Sequence, residues 1–261
     1  MNSIGEKSKW MGKKLYHYEL IDSTNSEAKR LARQGAPHGT LLLADNQSAG
    51  RGRRGRSWES KAGDSLLMSV ILRPELEPAK ASMVTLVQAL AVRQAIWKET
   101  GLEVAIKWPN DLLLKEKKVC GILTEMEMRE GKTDFIIVGT GVNLKQKEFS
   151  SQLRIQATSL SLELGKEGIK ADSLAEKIAL EFEAYYERFL ETQDLSLLRE
   201  EYNHFLINNN RQVCILDPGG EYEGKALGIN EKGELIVETA TGKLCYVYAG
   251  EVSVRGIEGY I

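Results

Sequence analysis

Two long stretches of the chain repeat apolar residues at the spacing of an α-helix. Apolar side chains recur every three to four residues through residues 83–100, and the same period runs through 173–190. A further helix is predicted at residues 27–33, because the polar run 22–25 before it is rich in N-cap residues and Gly35 follows its end. A shorter helix is expected to end at Tyr202.

Between these helices, short apolar runs bounded by turn residues predict β-strands. The runs lie at residues 15–21, 40–44, 66–72, 104–108 and 135–141. Residues 112–114 and 119–128 flank the charged turn 115–118, which predicts a hairpin. Because hairpins interrupt the alternation of strands and helices, we expect a mixed, largely antiparallel sheet with helices on one side rather than a doubly wound parallel sheet.

The pattern changes at Arg211. From there short alternating strands are separated by the turns 218–220, 230–233 and 241–243, which is typical of a small antiparallel barrel. The chain is therefore expected to form a large domain at residues 1–207 and a small β-barrel domain at residues 208–261. Residues 1–14 are basic without an apolar core, so we expect a frayed tail and not a signal peptide.

Composition removes several classes of function. The 261 residues carry a formal net charge of -2, which argues against a general nucleic-acid binder. The three cysteines and three histidines have no ligand spacing, so neither a zinc site nor a disulfide framework is supported, and no metal-binding residues are assigned. No run of about 18 apolar residues occurs, so no membrane span and a cytoplasmic location are expected.

The most distinctive chemistry lies in residues 50–58, where four arginines and three glycines fall within seven residues and Trp58 follows. Glycines let backbone N–H groups converge on an anion, and arginine suits both carboxylate and phosphate. Such a loop can hold a carboxylate next to a phosphate. A solvated basic loop and an RNA-binding patch remain alternatives, and Trp58 either covers a pocket or packs in the core.

Residues 107–111 combine a turn with two polar side chains. The Asn110 amide offers a donor and an acceptor that suit the edge of adenine, and Asp111 is suited to hold a cation or orient a lysine. The alternative is an ordinary turn. Lys118 follows at a strand edge, where it either reaches a cleft as a point charge or is simply solvated.

Two further segments are weaker signals. Gly139 and Gly141 end a strand and permit a ligand to approach the backbone closely. Ser23, Thr24 and Asn25 either cap a helix or ring a small polar group of a ligand.

In this order and spacing the segments resemble the catalytic core of biotin–protein ligases, from about Ser23 to Arg255. The matching stretches are 23–25, Gln47 with 50–58, 107–111, 118–123, 139–143 and 250–255. The resemblance implies a fold related to class II aminoacyl-tRNA synthetases, with a mixed sheet flanked by helices and a terminal Src-homology-3-like barrel. It implies that biotin and ATP form biotinyl-5′-AMP and that a lysine of an acceptor protein then takes the biotin.

The resemblance also implies roles for individual residues. Catalysis would rest on Lys118, Arg51 and Asp111, with Mg²⁺ accompanying ATP. The implied biotin site comprises Ser23, Thr24, Asn25, Gln47, Gly50, Arg51, Arg53, Trp58, Lys118, Gly121 and Gly139. The implied nucleotide site comprises Arg51, Arg53, Arg56, Trp58, Asn110, Lys118, Asn143 and Arg255. Glu59 stands where some relatives carry an aromatic residue that stacks on adenine, so Trp58 or an apolar side chain would have to pack there.

The acceptor implied by the resemblance is the biotin carboxyl carrier domain of a carboxylase, and a homodimer is possible. Some relatives carry an N-terminal winged helix-turn-helix that represses biotin genes. Only about 20 residues precede Ser23, so we expect no DNA binding. The alternatives are a lipoate or octanoate ligase of the same fold, a nucleic-acid-binding module that uses the arginine loop, and a sensor without catalysis.

Overall fold

The computed structural model of the chain describes residues 4–149, 157–217, 220–249 and 253–256. A seven-stranded sheet with the order β1-β2-β3-β7-β6-β5-β4 forms its centre. The strands are β1 (Leu15–Tyr18), β2 (Thr40–Ala44), β3 (Ser65–Leu72), β4 (Ala105–Lys107), β5 (Asp111–Leu114), β6 (Lys117–Arg129) and β7 (Lys132–Asn143). Only the β1–β2 pair is parallel among these strands. The predicted mixed, largely antiparallel sheet is confirmed.

Helices cover both faces of this sheet. They are α1 (Thr24–Arg33), α2 (Met83–Thr100), α3 (Leu160–Leu164), α4 (Ala171–Thr192) and α5 (Arg199–Phe205). Along β7 alternate side chains point to opposite faces, so Ile137 packs with Ala28 of α1 while Ile136 and Val138 join the core beneath α2 and α4. The expectation of helices on one side is therefore wrong for α1, although the fold class stands.

A second, five-stranded antiparallel sheet follows in the chain, with the order β11-β10-β9-β8-β12. Its strands are β8 (Gln212–Asp217), β9 (Gly220–Ile229), β10 (Leu235–Glu238), β11 (Leu244–Val247) and β12 (Ser253–Gly256). Val213 and Ile215 belong to the same buried cluster as Trp108, whose indole N–H donates to the Gly233 carbonyl at 3.0 Å. The two sheets thus share one core, and a domain boundary near residue 207 stays a prediction.

Residues 4–14, which precede β1, are packed rather than frayed, so that expectation is wrong for the described part of the segment. Met11 is fully buried, and the backbone N–H groups of Lys9, Trp10 and Met11 donate to the Glu183 carboxylate of α4 at 2.8–3.0 Å. Burial would raise the pKa of Glu183, but these three backbone donors hold that pKa below its ordinary value. The partner lies more than 170 residues away, so the local sequence gives no sign of it.

No helix among the described residues is long and apolar enough to cross a membrane.

Candidate active site

A cleft opens over the middle of the large sheet. Its floor is the pair β6–β7, where Gly121 lies opposite Gly141 and Leu123 opposite Gly139. The first turn of α1 closes one end, and the arginine loop at residues 50–58 closes the top. The lining residues are Ser23, Thr24, Asn25, Gln47, Arg51, Gly52, Arg53, Trp58, Leu67, Asn110, Lys118, Gly121, Ile122, Leu123, Gly139, Thr140 and Gly141.

The glycines of the floor make room for the indole of Trp58. A Cβ on Gly141 would lie 2.6 Å from Trp58 Cε2, and one on Gly121 would lie 3.0 Å from Trp58 Cζ3. Trp58 is therefore a wall of the cleft rather than a core residue. Its indole N–H is buried and meets no acceptor within the described residues, so a bound ligand is free to supply one.

One end of the cleft is polar, and its hydrogen bonds fix the direction of each group. Gln47 Oε1 accepts from the Thr24 backbone N–H at 2.7 Å and from the Thr24 hydroxyl at 3.0 Å. The Nε2 donors of Gln47 therefore point away from Thr24. Ser23 is the N-cap residue of α1, yet its side chain makes no capping hydrogen bond. Helix capping therefore does not account for the Ser23 side chain.

Asn25 is buried at the same end and is held on both sides. Its Nδ2 donates to the Leu123 carbonyl at 3.1 Å and to the Glu125 carboxylate at 2.8 Å. Its Oδ1 lies 2.7 Å from the Ser69 hydroxyl, and any side chain at Gly139 would collide with it. The amide is therefore fixed in one orientation.

The other end of the cleft is charged. Lys118 Nζ lies 2.6 Å from Asp111 Oδ1 and 5.9 Å from the centre of the Trp58 ring. Lys107 lies opposite Asp111 in the pairing of β4 with β5. Burial lowers the pKa of the Lys107 ammonium to about 8, although the Asp111 carboxylate acts in the opposite direction. Positive charge is thus concentrated beside one carboxylate.

Asn110 sits between the arginine loop and β6. Its Oδ1 accepts from Arg53 Nη1 at 2.9 Å, and its Nδ2 donates to the Ile122 carbonyl at 3.1 Å. Arg53 also donates to the Ala249 carbonyl at 2.7 Å and so joins the loop to the second sheet. Each end of the Asn110 amide is thus anchored by one hydrogen bond, which leaves one lone pair of Oδ1 and one N–H of Nδ2 for a further partner.

The cleft gathers most of the residues that the sequence singled out, but five lie outside its lining. The first is Asp111, which is linked to the cleft through Lys118, whose Nζ lies 2.6 Å from its Oδ1. Gly50 packs against the Trp58 carbonyl, and Arg56 is exposed. The Asn143 amide is buried and donates to the Thr158 carbonyl at 2.9 Å, while Arg255 is exposed on β12. Their ligand roles stay predictions. The matching stretch 250–255 lies outside the described residues except for 253–255.

Several residues of the site were missed in the sequence. Ser69 lies within 2.8 Å of the Thr24 hydroxyl and is fully buried, and Thr140 accepts from Gln88 Nε2 at 2.8 Å beneath the floor. Glu125 was also missed. A polar residue inside an otherwise apolar strand is the signal that would have marked Ser69, since such a group must find a partner.

Within the described residues no group of three or more histidine, cysteine, aspartate or glutamate side chains is arranged to hold a metal ion.

Comparison with known proteins places the chain in a family. The model of the Biotin/lipoate A/B protein ligase family matches residues 18–143, and the model of the biotin protein ligase C terminal domain matches residues 210–255. Together the two models match most of both sheets of the structure.

Individual relatives agree with these models. The bifunctional ligase/repressor BirA of Bacillus subtilis is 38% identical over 255 residues, which cover 96% of this chain and 77% of that protein. The biotin--[acetyl-CoA-carboxylase] ligase of Mycobacterium tuberculosis is 30% identical, with coverages of 95% and 91%. The solved structure of the biotin protein ligase from Aquifex aeolicus in complex with biotin and ATP has a TM-score of 0.81 at 30% identity and covers 94% of this chain and 99% of that chain. The chain therefore belongs to the biotin protein ligase family.

Proposed function

We propose that the protein forms biotinyl-5′-AMP from biotin and ATP and transfers the biotin to a lysine of a biotin carboxyl carrier domain. The observation that carries the proposal is one cleft with an uncharged polar end at Ser23, Asn25 and Gln47 and a cationic end at Lys118. A ureido ring and a carboxylate at opposite ends of one ligand match these two ends.

The direction of the polar groups suits a ureido ring. Asn25 Oδ1 accepts hydrogen bonds, whereas the Nε2 atom of Gln47 donates them. A ureido group offers N–H donors on either side of a carbonyl acceptor, so both kinds of contact have a partner. The side chain of biotin would then run past Leu67 and Trp58 toward Lys118.

The first step joins two anions. A carboxylate oxygen of biotin attacks the α-phosphorus of ATP, the bond from that phosphorus to the bridging oxygen breaks, and pyrophosphate leaves. Because the nucleophile is already ionised, the step needs no general base. Lys118 would stabilise the charge that develops between carboxylate and phosphorus, with Asp111 holding the ammonium in place.

Arg51 would complete the charge around the reacting groups. It lies in the cleft lining, and its side chain is 54% exposed with Nη1 3.8 Å from Glu125 Oε1. This loose contact leaves its guanidinium free to turn toward a carboxylate and a phosphate.

Magnesium would enter with ATP. The carboxylate beside the charged end of the cleft is Asp111, and Mg²⁺ is commonly held by one or two carboxylates together with substrate phosphates and water. The residues present are therefore compatible with Mg-ATP, and the described part of the chain shows no separate protein cage for a metal ion. The ion would neutralise phosphate charge when bound.

In the second step the neutral acceptor lysine amine attacks the carbonyl carbon of biotinyl-AMP, an amide bond forms, the bond to AMP breaks, and the nitrogen gives up one proton to AMP or solvent. AMP is a good leaving group, so the protein needs mainly to position the amine for attack. A homodimer, a cytoplasmic location and the absence of DNA binding stay predictions.

The experiment that tests the function is a labelling assay with purified protein, Mg-ATP, an acceptor domain and either biotin or lipoate. We expect biotin-dependent and ATP-dependent labelling. Transfer of lipoate alone would favour the lipoate branch, and labelling with neither acid together with strong retention on heparin would favour a nucleic-acid-binding module.

The matched pair Lys118→Met and Lys117→Met tests the assigned chemistry. Lys117 is the exposed neighbour on β6, whereas Lys118 pairs with Asp111 in the cleft. Loss of one preorganised charge costs about 10³-fold in the rate of adenylate formation, so we expect that loss in Lys118→Met only. Near-normal turnover of a folded Lys118→Met variant would contradict the role.

A further inference from the structure

Glu125 on β6 lies behind the polar end of the cleft and outside its lining. Its Oε2 accepts from Asn25 Nδ2 at 2.8 Å, and its Oε1 lies 2.5 Å from Lys29 Nζ of α1. The side chain of Glu125 is 19% exposed and that of Lys29 is 25% exposed, so the pair is largely shielded from solvent. Glu125 therefore connects a buried ligand-facing amide to a cation on α1.

The partners of the Asn25 amide determine which of its ends faces a ligand. The Leu123 carbonyl and the Glu125 carboxylate only accept hydrogen bonds, so the group that faces them must be the NH₂. Both N–H donors are thereby used. The Oδ1 atom lies over Gly139 in the cleft lining and has acceptor capacity left, because an amide oxygen has two lone pairs and the Ser69 hydroxyl can occupy only one of them.

The negative charge of Glu125 is stabilised by its neighbours at the polar end of the cleft. Burial would raise its pKa, but hydrogen bonds from Lys29 and Asn25 and the nearby Arg51 guanidinium lower it below the ordinary value. The carboxylate therefore stays ionised and remains an acceptor. If the amide of Asn25 were reversed, its Oδ1 would face this anion, which is electrostatically unfavourable.

We propose that Glu125, with Lys29 as its counter-ion, is a positioning residue that fixes the Asn25 amide so that the cleft presents an acceptor to a ligand N–H. The inference rests on the proposed function and identifies what makes the cleft select a ureido N–H over an acid without one. Glu125 acts through Asn25 and need not contact the ligand.

The chain offers a matched control on the same two elements. One helical turn beyond Lys29, Arg33 pairs with Glu127 at 2.6 Å, two residues further along β6. This second pair also links α1 to β6, but Glu127 has no hydrogen bond to Asn25 among the described contacts. Removing it therefore tests whether docking of α1 alone affects the site.

The decisive comparison is between two double variants, Lys29→Met/Glu125→Gln and Lys29→Met/Glu125→Leu. Both remove the ion pair and the anion near Arg51, but only glutamine keeps an oxygen that accepts from Asn25 Nδ2. Calorimetry would give the Kd for biotin and for a biotin analogue in which both ureido nitrogens are methylated. Thermal unfolding would confirm that both variants are folded.

We expect the Kd of the glutamine variant for biotin to lie within about threefold of the wild-type value. The Kd of the leucine variant should be about tenfold higher, which corresponds to the loss of one oriented hydrogen bond. The leucine variant should lose no more than about twofold for the methylated analogue. In steady-state adenylation its KM for biotin should rise about tenfold while kcat at saturating biotin changes less than threefold.

Equal affinity of the two variants for biotin, or an equal loss for biotin and its methylated analogue, would overturn the proposal. So would a comparable loss in Arg33→Met/Glu127→Leu, because the effect would then come from the docking of α1. If the wild-type protein binds biotin no better than the methylated analogue, the biotin site itself is contradicted. This measurement on the wild type therefore distinguishes failure of the proposed function from failure of this inference.

Discussion

The glycine floor of the cleft predicts a large effect from one methyl group. In Gly141→Ala the new Cβ would lie 2.6 Å from Trp58 Cε2, 2.8 Å from Cζ2 and 3.0 Å from Cδ2. Ordinary carbon contacts are about 3.5–4.0 Å, so the indole must move by about 1 Å. The backbone of β7 is paired on both sides and has little freedom to yield.

The displacement of Trp58 determines how much activity Gly141→Ala should lose. The indole also lies against Gly121 and near Lys118, so its displacement changes the wall along which biotin would bind. A misplacement of about 1 Å costs about 10²-fold in rate, which corresponds to about 2.7 kcal/mol of transition-state stabilisation. Trp58 lies at the end of a loop and is half-buried, so the global stability should fall by only about 1 kcal/mol.

The assay is pyrophosphate release at varied biotin concentration, with urea unfolding in parallel. We expect kcat/KM for biotin to fall about 10²-fold in Gly141→Ala. In a Trp58→Ala background, where no ring opposes the methyl group, the same substitution should have an effect of less than about threefold. Unchanged kinetics of Gly141→Ala, or an equal loss in both backgrounds, would refute the assignment of Trp58 as a cleft wall that Gly141 accommodates.

Two further predictions concern the arginine loop and the N-terminal segment. In Arg51→Gly the loop should seal biotinyl-AMP less well, so that labelling of an excess bystander protein rises several-fold; unchanged bystander labelling would count against this role. Glu183→Gln should lower the free energy of unfolding by about 2 kcal/mol at pH 7, because it weakens charge-assisted hydrogen bonds from three backbone N–H groups. The control Glu187→Gln removes only the exposed ion pair with Lys9 and should lower the free energy of unfolding by less than about 0.5 kcal/mol. Since the folded state lowers the pKa of Glu183, the stability that its carboxylate contributes is present above the unfolded pKa of about 4.3 and is lost as pH falls through the lower folded pKa. Urea unfolding of both variants from pH 7 to 3 should therefore show the difference in unfolding free energy between wild type and Glu183→Gln shrinking. A difference that stays constant would contradict the assignment.

The elements that follow local rules were predicted well. The strand Thr40–Ala44 and the helix Met83–Thr100 begin and end where the apolar pattern places them, and the hairpin around residues 115–118 is present. The helix Leu160–Leu164 was missed, because five residues are too short to establish a helical period. The N-terminal segment was missed because its order depends on Glu183, a partner distant in the chain.

The sequence by itself determined the types of group that this site contains. Arginines between glycines, the 107–111 turn and Lys118 are local signals, because each residue type has a fixed chemistry wherever the chain goes. They were sufficient to predict the family, which the comparisons confirm.

Only the tertiary structure decided which of these groups meet and in which direction they point. Strand pairing places Gly121 opposite Gly141 and makes the floor on which Trp58 lies, and it leaves Arg255 exposed on β12 outside the cleft lining. The orientation of the Asn25 amide follows from Glu125, 100 residues further along the chain. Hydrogen bonds and close contacts of this kind depend on positions in space to within a few tenths of an ångström, and no local pattern of residues encodes them.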